Sequence, residues 1–179
     1  TRDAARSLEF GDMPGDFFKR PGISLFSENG AMRREVGEIL EVVRKYGACV
    51  ATGHISIEES VALCRMALSM NVRTVLTHPN WERTIVPLEI QKELASLGVF
   101  IEKVFANIKD GTVTEERMVY EIRELGAERC FITTDRGQAS EDLPAVEYAR
   151  FIELLLRNGF EKHEIRAMSR IVPQTVIGA

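Results

Sequence analysis

Three residues of this sequence could grip a cation or move a proton, and each closes a short apolar run. His54 follows Ala48-Cys49-Val50-Ala51-Thr52-Gly53, His78 follows Arg73-Thr74-Val75-Leu76-Thr77, and Asp135 follows Cys130-Phe131-Ile132-Thr133-Thr134. The runs have strand length and are rich in β-branched residues, so each polar residue falls where a strand should stop. Imidazole and carboxylate are the donors a catalytic Zn²⁺ takes, with one position left to water. A bound ion would bring that water's pKa down toward ~7 and make hydroxide available at neutral pH. Asp135 could accept the water's proton, ligate, or do both in turn. One histidine at a strand end is more often a structural hydrogen-bonding group. Two at equivalent stations, with an aspartate at a third, shift the balance toward a site.

Spacing strengthens the case. His54 to His78 is 24 residues, His78 to Glu102 is again 24, and Glu102 to Asp135 is 33. Such intervals put each residue at the same station of successive βα units. Neighbouring strands lie ~4.8 Å apart, so their ends bring these side chains to one rim. Glu102, within the otherwise apolar run 99–105, has two readings. It is a functional carboxylate facing the crevice, available to substrate, or an outward residue paired with a neighbouring lysine such as Lys103. Trp81, the only tryptophan, walls a pocket beside His78 or packs over a strand end. Arg136 and Gln138 follow Asp135 and could bind a substrate carboxylate or carbonyl; Arg136 could equally cap the fold by pairing with a loop acid. His163, between Lys162 and Glu164, reads as a solvent-exposed helix residue.

The elements that must position these groups alternate. Residues 1–21 read as an irregular lead-in and Ile23 to Phe26 as a first short strand, closed by the Glu28-Asn29-Gly30 turn. Met32 to Tyr46 has one apolar stripe and a Gly47 stop, an amphipathic helix. Ser56 and Glu59 form a capping-box pattern, so a helix starts just after His54 and runs to about Met70. Its N-terminal amides would suit an anionic ligand group. Further helices are expected over 87–97, from Thr114 to Leu125, over 144–157 and over 161–169, with a last turn near 173–177. Strands are expected over 48–52, 73–77, 99–105 and 130–134. The pattern is βα repeated about five times, which argues for a parallel sheet whose ligands bind beyond the strands' carboxyl ends.

Composition bounds the rest. The 179 residues are one domain's worth of chain, 45% apolar, with 27 acidic against 23 basic residues. The scattered basic residues give no reason to expect nucleic acid or a membrane surface. The three cysteines, with no close pairing, read as buried free thiols of a reducing compartment. No apolar run approaches the ~20 residues of a membrane span, and a soluble, cytoplasmic protein is the expectation. The chain begins at Thr1, as though partway through something longer.

The segments Ala51-Thr52-Gly53-His54-Ile55-Ser56, Leu76-Thr77-His78-Pro79, Phe100-Ile101-Glu102 and Thr133-Thr134-Asp135-Arg136-Gly137-Gln138 resemble an uncharacterised branch of the amidohydrolase superfamily. The resemblance runs from about Gly22 to the C-terminus. It implies a TIM-type (β/α)8 barrel holding one or two divalent ions, of which this chain supplies about the last five βα units. Within it His54 matches the fifth-strand ligand, His78 the sixth-strand ligand, and Asp135 the eighth-strand ligand and proton acceptor. Glu102 falls on the seventh strand, where the superfamily has no fixed ligand. The superfamily's first-strand His-x-His pair has no counterpart here, and Val172-Pro173 stands where its closing helix usually reads Asn-Pro. A complete barrel needs ~250 residues, so the expectation is that the earlier strands lie outside this chain.

The implied activity is metal-dependent hydrolysis of an amide, ester or lactone bond in a small molecule. Zinc is the first choice of ion, and manganese, iron or nickel also suit such donors. A decarboxylase or hydratase on the same ions is the near alternative. A non-catalytic barrel that binds a metabolite or a partner is a second, and a doubly wound sheet binding phosphate at Gly53–Ser56 a third. Homo-oligomerisation is left open.

Overall fold

The computed structural model describes residues 23–178. The readings for 1–21, including the Pro21-Gly22 turn, lie outside the described residues. Four strands, β1 Cys49–Ala51, β2 Arg73–Leu76, β3 Phe100–Val104 and β4 Cys130–Thr133, form one parallel sheet in the order β1-β2-β3-β4. Cys49 lies opposite Arg73, Val75 opposite Phe100, and Ile101 opposite Cys130. Parallel neighbours need a crossover, and helices supply it. Helix α1 (Arg34–Lys45) precedes β1, and α2 (Ile57–Ser69) and α3 (Leu88–Leu97) join the next strands. The one-turn α4 (Phe105–Lys109) and then α5 (Glu115–Leu125) lead to β4. After β4 come α6 (Pro144–Arg157), α7 (Lys162–Arg166), a π-helical turn (Ala167–Ile171) and α8 (Val172–Ile177).

Alternation along the strands sorts side chains onto two faces. Leu76, Ile101 and Ile132 join Leu94, Ile122, Phe151 and Leu154 in the main core between sheet and helices. Their neighbours Val75, Phe100 and Phe131 point the other way and pack against Val172 and Val176 of α8. The crossover helices therefore line one face, and α8 covers part of the other. The mixed α/β class with a parallel sheet is as expected from the alternation.

Three details differ from expectation. Residues 23–26 are not a strand of the sheet: Phe26 makes one antiparallel bridge to Met32 across the 28–30 turn. The backbone N–H of Leu25 donates instead to Glu59 Oε1 (2.8 Å), as does the Ser24 hydroxyl (2.6 Å), so a side chain takes the donor a ladder would have used. The strand expected over 99–105 ends at Val104, and Phe105 instead opens the one-turn helix α4 with its ring packed on Phe151. The helix expected over 161–169 continues through a π-helical turn into α8. Pro173 near the start of α8 lacks an N–H, and an extra residue in the preceding turn accommodates its ring.

The capping box at α2 is formed in both directions. Glu59 N–H donates to Ser56 Oγ (3.3 Å) and Ser56 N–H to Glu59 Oε2 (3.2 Å). Glu59 is fully buried, so one carboxylate both starts the helix after His54 and ties down residues 24–25. Ser56→Ala should lower stability by about 1 kcal/mol, a fall of roughly 2–4 °C in Tm. Thermal or urea unfolding checks this, and an unchanged Tm would mean that Glu59 alone fixes the helix start.

Candidate functional site

The β1–β2 ladder stops at Ala51 and Val75, and threonines carry it further. Thr52 N–H donates to the Val75 carbonyl (3.0 Å), Thr77 N–H to Thr52 Oγ1 (3.0 Å), and Gly53 N–H to Thr77 Oγ1 (3.2 Å). Short hydroxyls replace backbone partners just where the strands separate. The chain then breaks out of extended geometry in the same way three times: Gly53 has φ +61°, His78 +46° and Asp135 +52°. The left-handed region is free to glycine but costs other residues roughly 1 kcal/mol or more. Two of the three candidate residues therefore sit in strained backbone, as residues at functional sites often do.

The expected residues converge. The rings of His54 and His78 have centroids 5.3 Å apart, and Trp81 lies 4.7 Å from His54 and 6.4 Å from His78. His78 Nε2 is 3.8 Å from Asp135 Oδ2, and His78 Nδ1 is 3.1 Å from Glu102 Oε2. The latter is a charge contact, since the ring N–H does not point along it well enough for a hydrogen bond. Glu102 is held by the backbone N–H of His78 (3.2 Å) and the hydroxyl of Thr133 (3.0 Å). It thus faces His78, and the alternative pairing with Lys103 does not occur. Lys103 points to the opposite face and bonds elsewhere.

Arg136 and Gln138 take local partners. Arg136 Nη2 donates to Asp110 Oδ1 (3.0 Å), with Glu141 at 3.8 Å from Nη1, which is the loop-acid alternative. Gln138 is exposed and its side-chain oxygen accepts from Gly137 N–H (3.1 Å). His163 is exposed beside Glu161, as its charged neighbours suggested. Cys64 and Cys130 are buried free thiols with pKa pushed up to about 12 by burial, too high for nucleophilic work. Sequence reading missed the threonine rungs, although a threonine stands one or two positions before each candidate. It also missed Arg83, buried with its guanidinium carbon 5.2 Å from the Trp81 ring, for which Glu82-Arg83 in a polar loop carries no signal.

Electrostatics centre on His78. Burial works against its cation, but Glu102 beside Nδ1 and the charge of Asp135 outweigh it, so the pKa lies above the ordinary 6.5. Burial works against the Glu102 anion too, but the His78 ring and N–H and the Thr133 hydroxyl hold it below the ordinary 4.5. The raised His78 value contributes stability that is complete below 6.5 and lost as pH rises through the folded value. The lowered Glu102 value contributes stability that is present above 4.5 and lost as pH falls through the folded value. The pair therefore stabilises most between the two.

The donors suit a divalent ion only in part. Two ligands at ~2.1 Å from one ion in tetrahedral geometry stand roughly 3.4 Å apart, and His78 Nε2 to Asp135 Oδ2 is 3.8 Å. A shift of a few tenths of an ångström would close that pair. Among the described residues, however, no three His, Cys, Asp or Glu side chains are gathered so as to hold an ion as they stand. Glu102 lies on the side of His78 from which a carboxylate can orient a metal-bound histidine, though its hydrogen bond here is to the His78 backbone N–H and not to the ring.

Fold and site together define an α/β protein whose parallel strands gather two imidazoles and two carboxylates at one rim. Residues 1–102 match the model of a family of unknown function, DUF6282, and the chain belongs to that family. The matched span includes His54, His78 and Glu102 and stops short of Asp135. No curated protein matches the chain.

Two outcomes are expected at this site. Histidine NMR should give His78 a midpoint above 6.5, and Glu102→Gln should lower it, because burial then faces less opposing charge. Asp135→Gly should leave Tm unchanged or raise it, since relief of left-handed strain of about 1 kcal/mol offsets the added freedom of the unfolded chain. A clear fall in Tm would show that Asp135 is held for stability.

Proposed function

We propose that this chain is a metal-dependent hydrolase of the amidohydrolase type, built on a (β/α)8 barrel in which the four described strands are consecutive members. The winding fits the barrel. Strands in sequential order with crossover helices on one face follow barrel topology and equally one half of a doubly wound sheet, and the resemblance of the strand-end segments favours the barrel. A phosphate site at the start of α2 has less support, because the Glu59 carboxylate already occupies that helix terminus. Four strands close no barrel by themselves, so the proposal requires further strands around the same axis.

The observation that carries the activity is His78, set between Glu102 and Asp135 with the His54 ring alongside. His54, His78 and Asp135 would hold the ion, with zinc the first choice. When bound, such an ion polarises a carbonyl and lowers the pKa of water. Glu102 faces Nδ1 from behind and holds the His78 backbone N–H, with Nε2 on the Asp135 side. Asp135, 57% exposed at its side chain, accepts the proton of the attacking water and passes it to the leaving group. Trp81 walls the site for a small amide, ester or lactone.

A second reading rests on one specific observation: among the described residues no three-donor cluster is formed. In that reading His78 sits between two carboxylates, and the site binds a metabolite without chemistry. Zinc titration and elemental analysis of the purified protein in its native assembly, with whatever strands complete the sheet, separate the two. The hydrolase reading expects bound metal, loss of the His78 titration on loading, and turnover of some lactone or amide that a chelator abolishes. It also expects Asp135→Asn to lower kcat by ~10²–10⁴-fold, the usual worth of a positioned proton acceptor. Absence of both bound metal and metal-stimulated turnover would overturn the hydrolase and favour the binding site.

A further inference from the structure

Beside Glu102 on β3 stands Lys103, fully buried on the helix-covered face of the sheet. Its ammonium uses all three of its protons. Nζ donates to Asn80 Oδ1 (2.9 Å), to Gln91 Oε1 (2.9 Å) and to Glu121 Oε2 (2.7 Å). Glu121 also accepts from Asn80 Nδ2 (2.7 Å) and from Arg117 Nε (2.8 Å). Gln91 Nε2 in turn donates to the Val86 carbonyl (2.7 Å). Three elements, α3, β3 and α5, thus share one buried polar knot with the loop that follows β2.

That loop carries the candidate site. It starts at His78, holds Trp81 and Arg83, and ends at Val86. The knot grips it near both ends, at Asn80 directly and at Val86 through Gln91. Between these points the loop closes on itself: Val86 N–H donates to the Pro79 carbonyl (2.9 Å), and the Thr84 hydroxyl to the His78 carbonyl (2.6 Å). A buried lysine–glutamate pair is no efficient source of stability, since apolar residues of similar volume do as well or better. Glu121 on α5 and Gln91 on α3, both buried, could have been apolar, as the surrounding layer is.

We propose that Lys103 is a positioning residue: through Asn80 and Gln91 it fixes the His78–Val86 loop from the far side of the sheet, and so sets the backbone of His78 and the ring of Trp81. Adjacent residues of one strand then serve one site from two faces. Glu102 holds the His78 backbone N–H beside the ring, and Lys103 holds the loop that His78 begins. The part of the test that uses zinc rests on the metal reading above; the part that uses Trp81 does not.

Trp81 is the only tryptophan in the chain, so its fluorescence reports this loop alone. Lys103→Met should shift Trp81 emission to the red and increase its quenching by acrylamide. Asn80→Ala, which leaves Lys103 paired with Glu121 and Gln91, should do the same if Lys103→Met fails to fold. Zinc affinity should fall on the order of 10- to 100-fold in either variant, the usual effect of losing a group that orients a ligand. Leu94→Ala is the control, because Leu94 is fully buried in the same layer and makes no polar contact with the knot. It should lower Tm and leave Trp81 emission below the melt unchanged. Unchanged Trp81 emission and quenching in both network variants, or an equal change in Leu94→Ala, overturns the positioning role. Wild-type protein that binds no zinc, with Trp81 still responding to Lys103→Met, overturns the metal reading and supports this one.

Discussion

Strand β3 offers a carboxylate to one face of the sheet and an ammonium to the other, and both are taken out of bulk water. Period-two alternation makes the opposition unavoidable once Glu102 and Lys103 are neighbours. Neither charge is tolerable without partners, because an unpaired buried ion costs several kcal/mol. Burial pulls the Lys103 pKa down, and the Glu121 carboxylate pushes it back. Glu121 in turn needs Asn80 and Arg117 to satisfy its oxygens. The identities of Gln91 on α3, of Arg117 and Glu121 on α5, and of Asn80 after β2 therefore follow from one position of one strand. On the other face, Thr133 and the His78 backbone do the same for Glu102.

The strand ends obey a second constraint. A parallel strand that stops in a sheet leaves donors and acceptors unmatched at its last residues. Here Thr52 and Thr77 meet that need with hydroxyls rather than with more strand. Threonine suits both roles, since its branched Cβ favours extended backbone and its hydroxyl bonds locally. The left-handed turns at Gly53, His78 and Asp135 follow at once. Glycine occupies such a turn at no cost, and histidine and aspartate are among the other residue types that tolerate it best, as Asn71 does elsewhere in the chain.

Much of this was legible from residue order. The β-branched runs at 48–52, 73–77 and 130–134 become β1, β2 and β4, and His54, His78 and Asp135 do meet. The capping pattern of Ser56 and Glu59 is formed as written. What was not legible depends on which face a side chain takes over long sequence distances. Glu102 could be read as facing substrate or as pairing with Lys103, because alternation separates adjacent residues without saying which face is which. Lys103 figured only as a possible partner of Glu102, since nothing local announces that Asn80, Gln91 and Glu121 arrive from three other segments. Ile23 to Phe26 had the pattern of a strand, yet Glu59, more than thirty residues away, takes its backbone donor.

Burial falls in steps across the rim, and the steps bear on what each group can do. The side chains of Glu102 and His78 are 13% and 14% exposed, whereas that of Asp135 is 57% exposed. A proton acceptor that turns over must trade its proton with substrate or solvent, and only Asp135 stands where that exchange is open. Glu102 has each oxygen engaged by one donor, Thr133 or the His78 backbone, and its burial keeps it behind His78 rather than out on the rim. His78 lies between them with one nitrogen toward each carboxylate. Its charge state therefore links the buried acid to the accessible one. The Nε2–Asp135 contact is thus where the cluster opens to solvent.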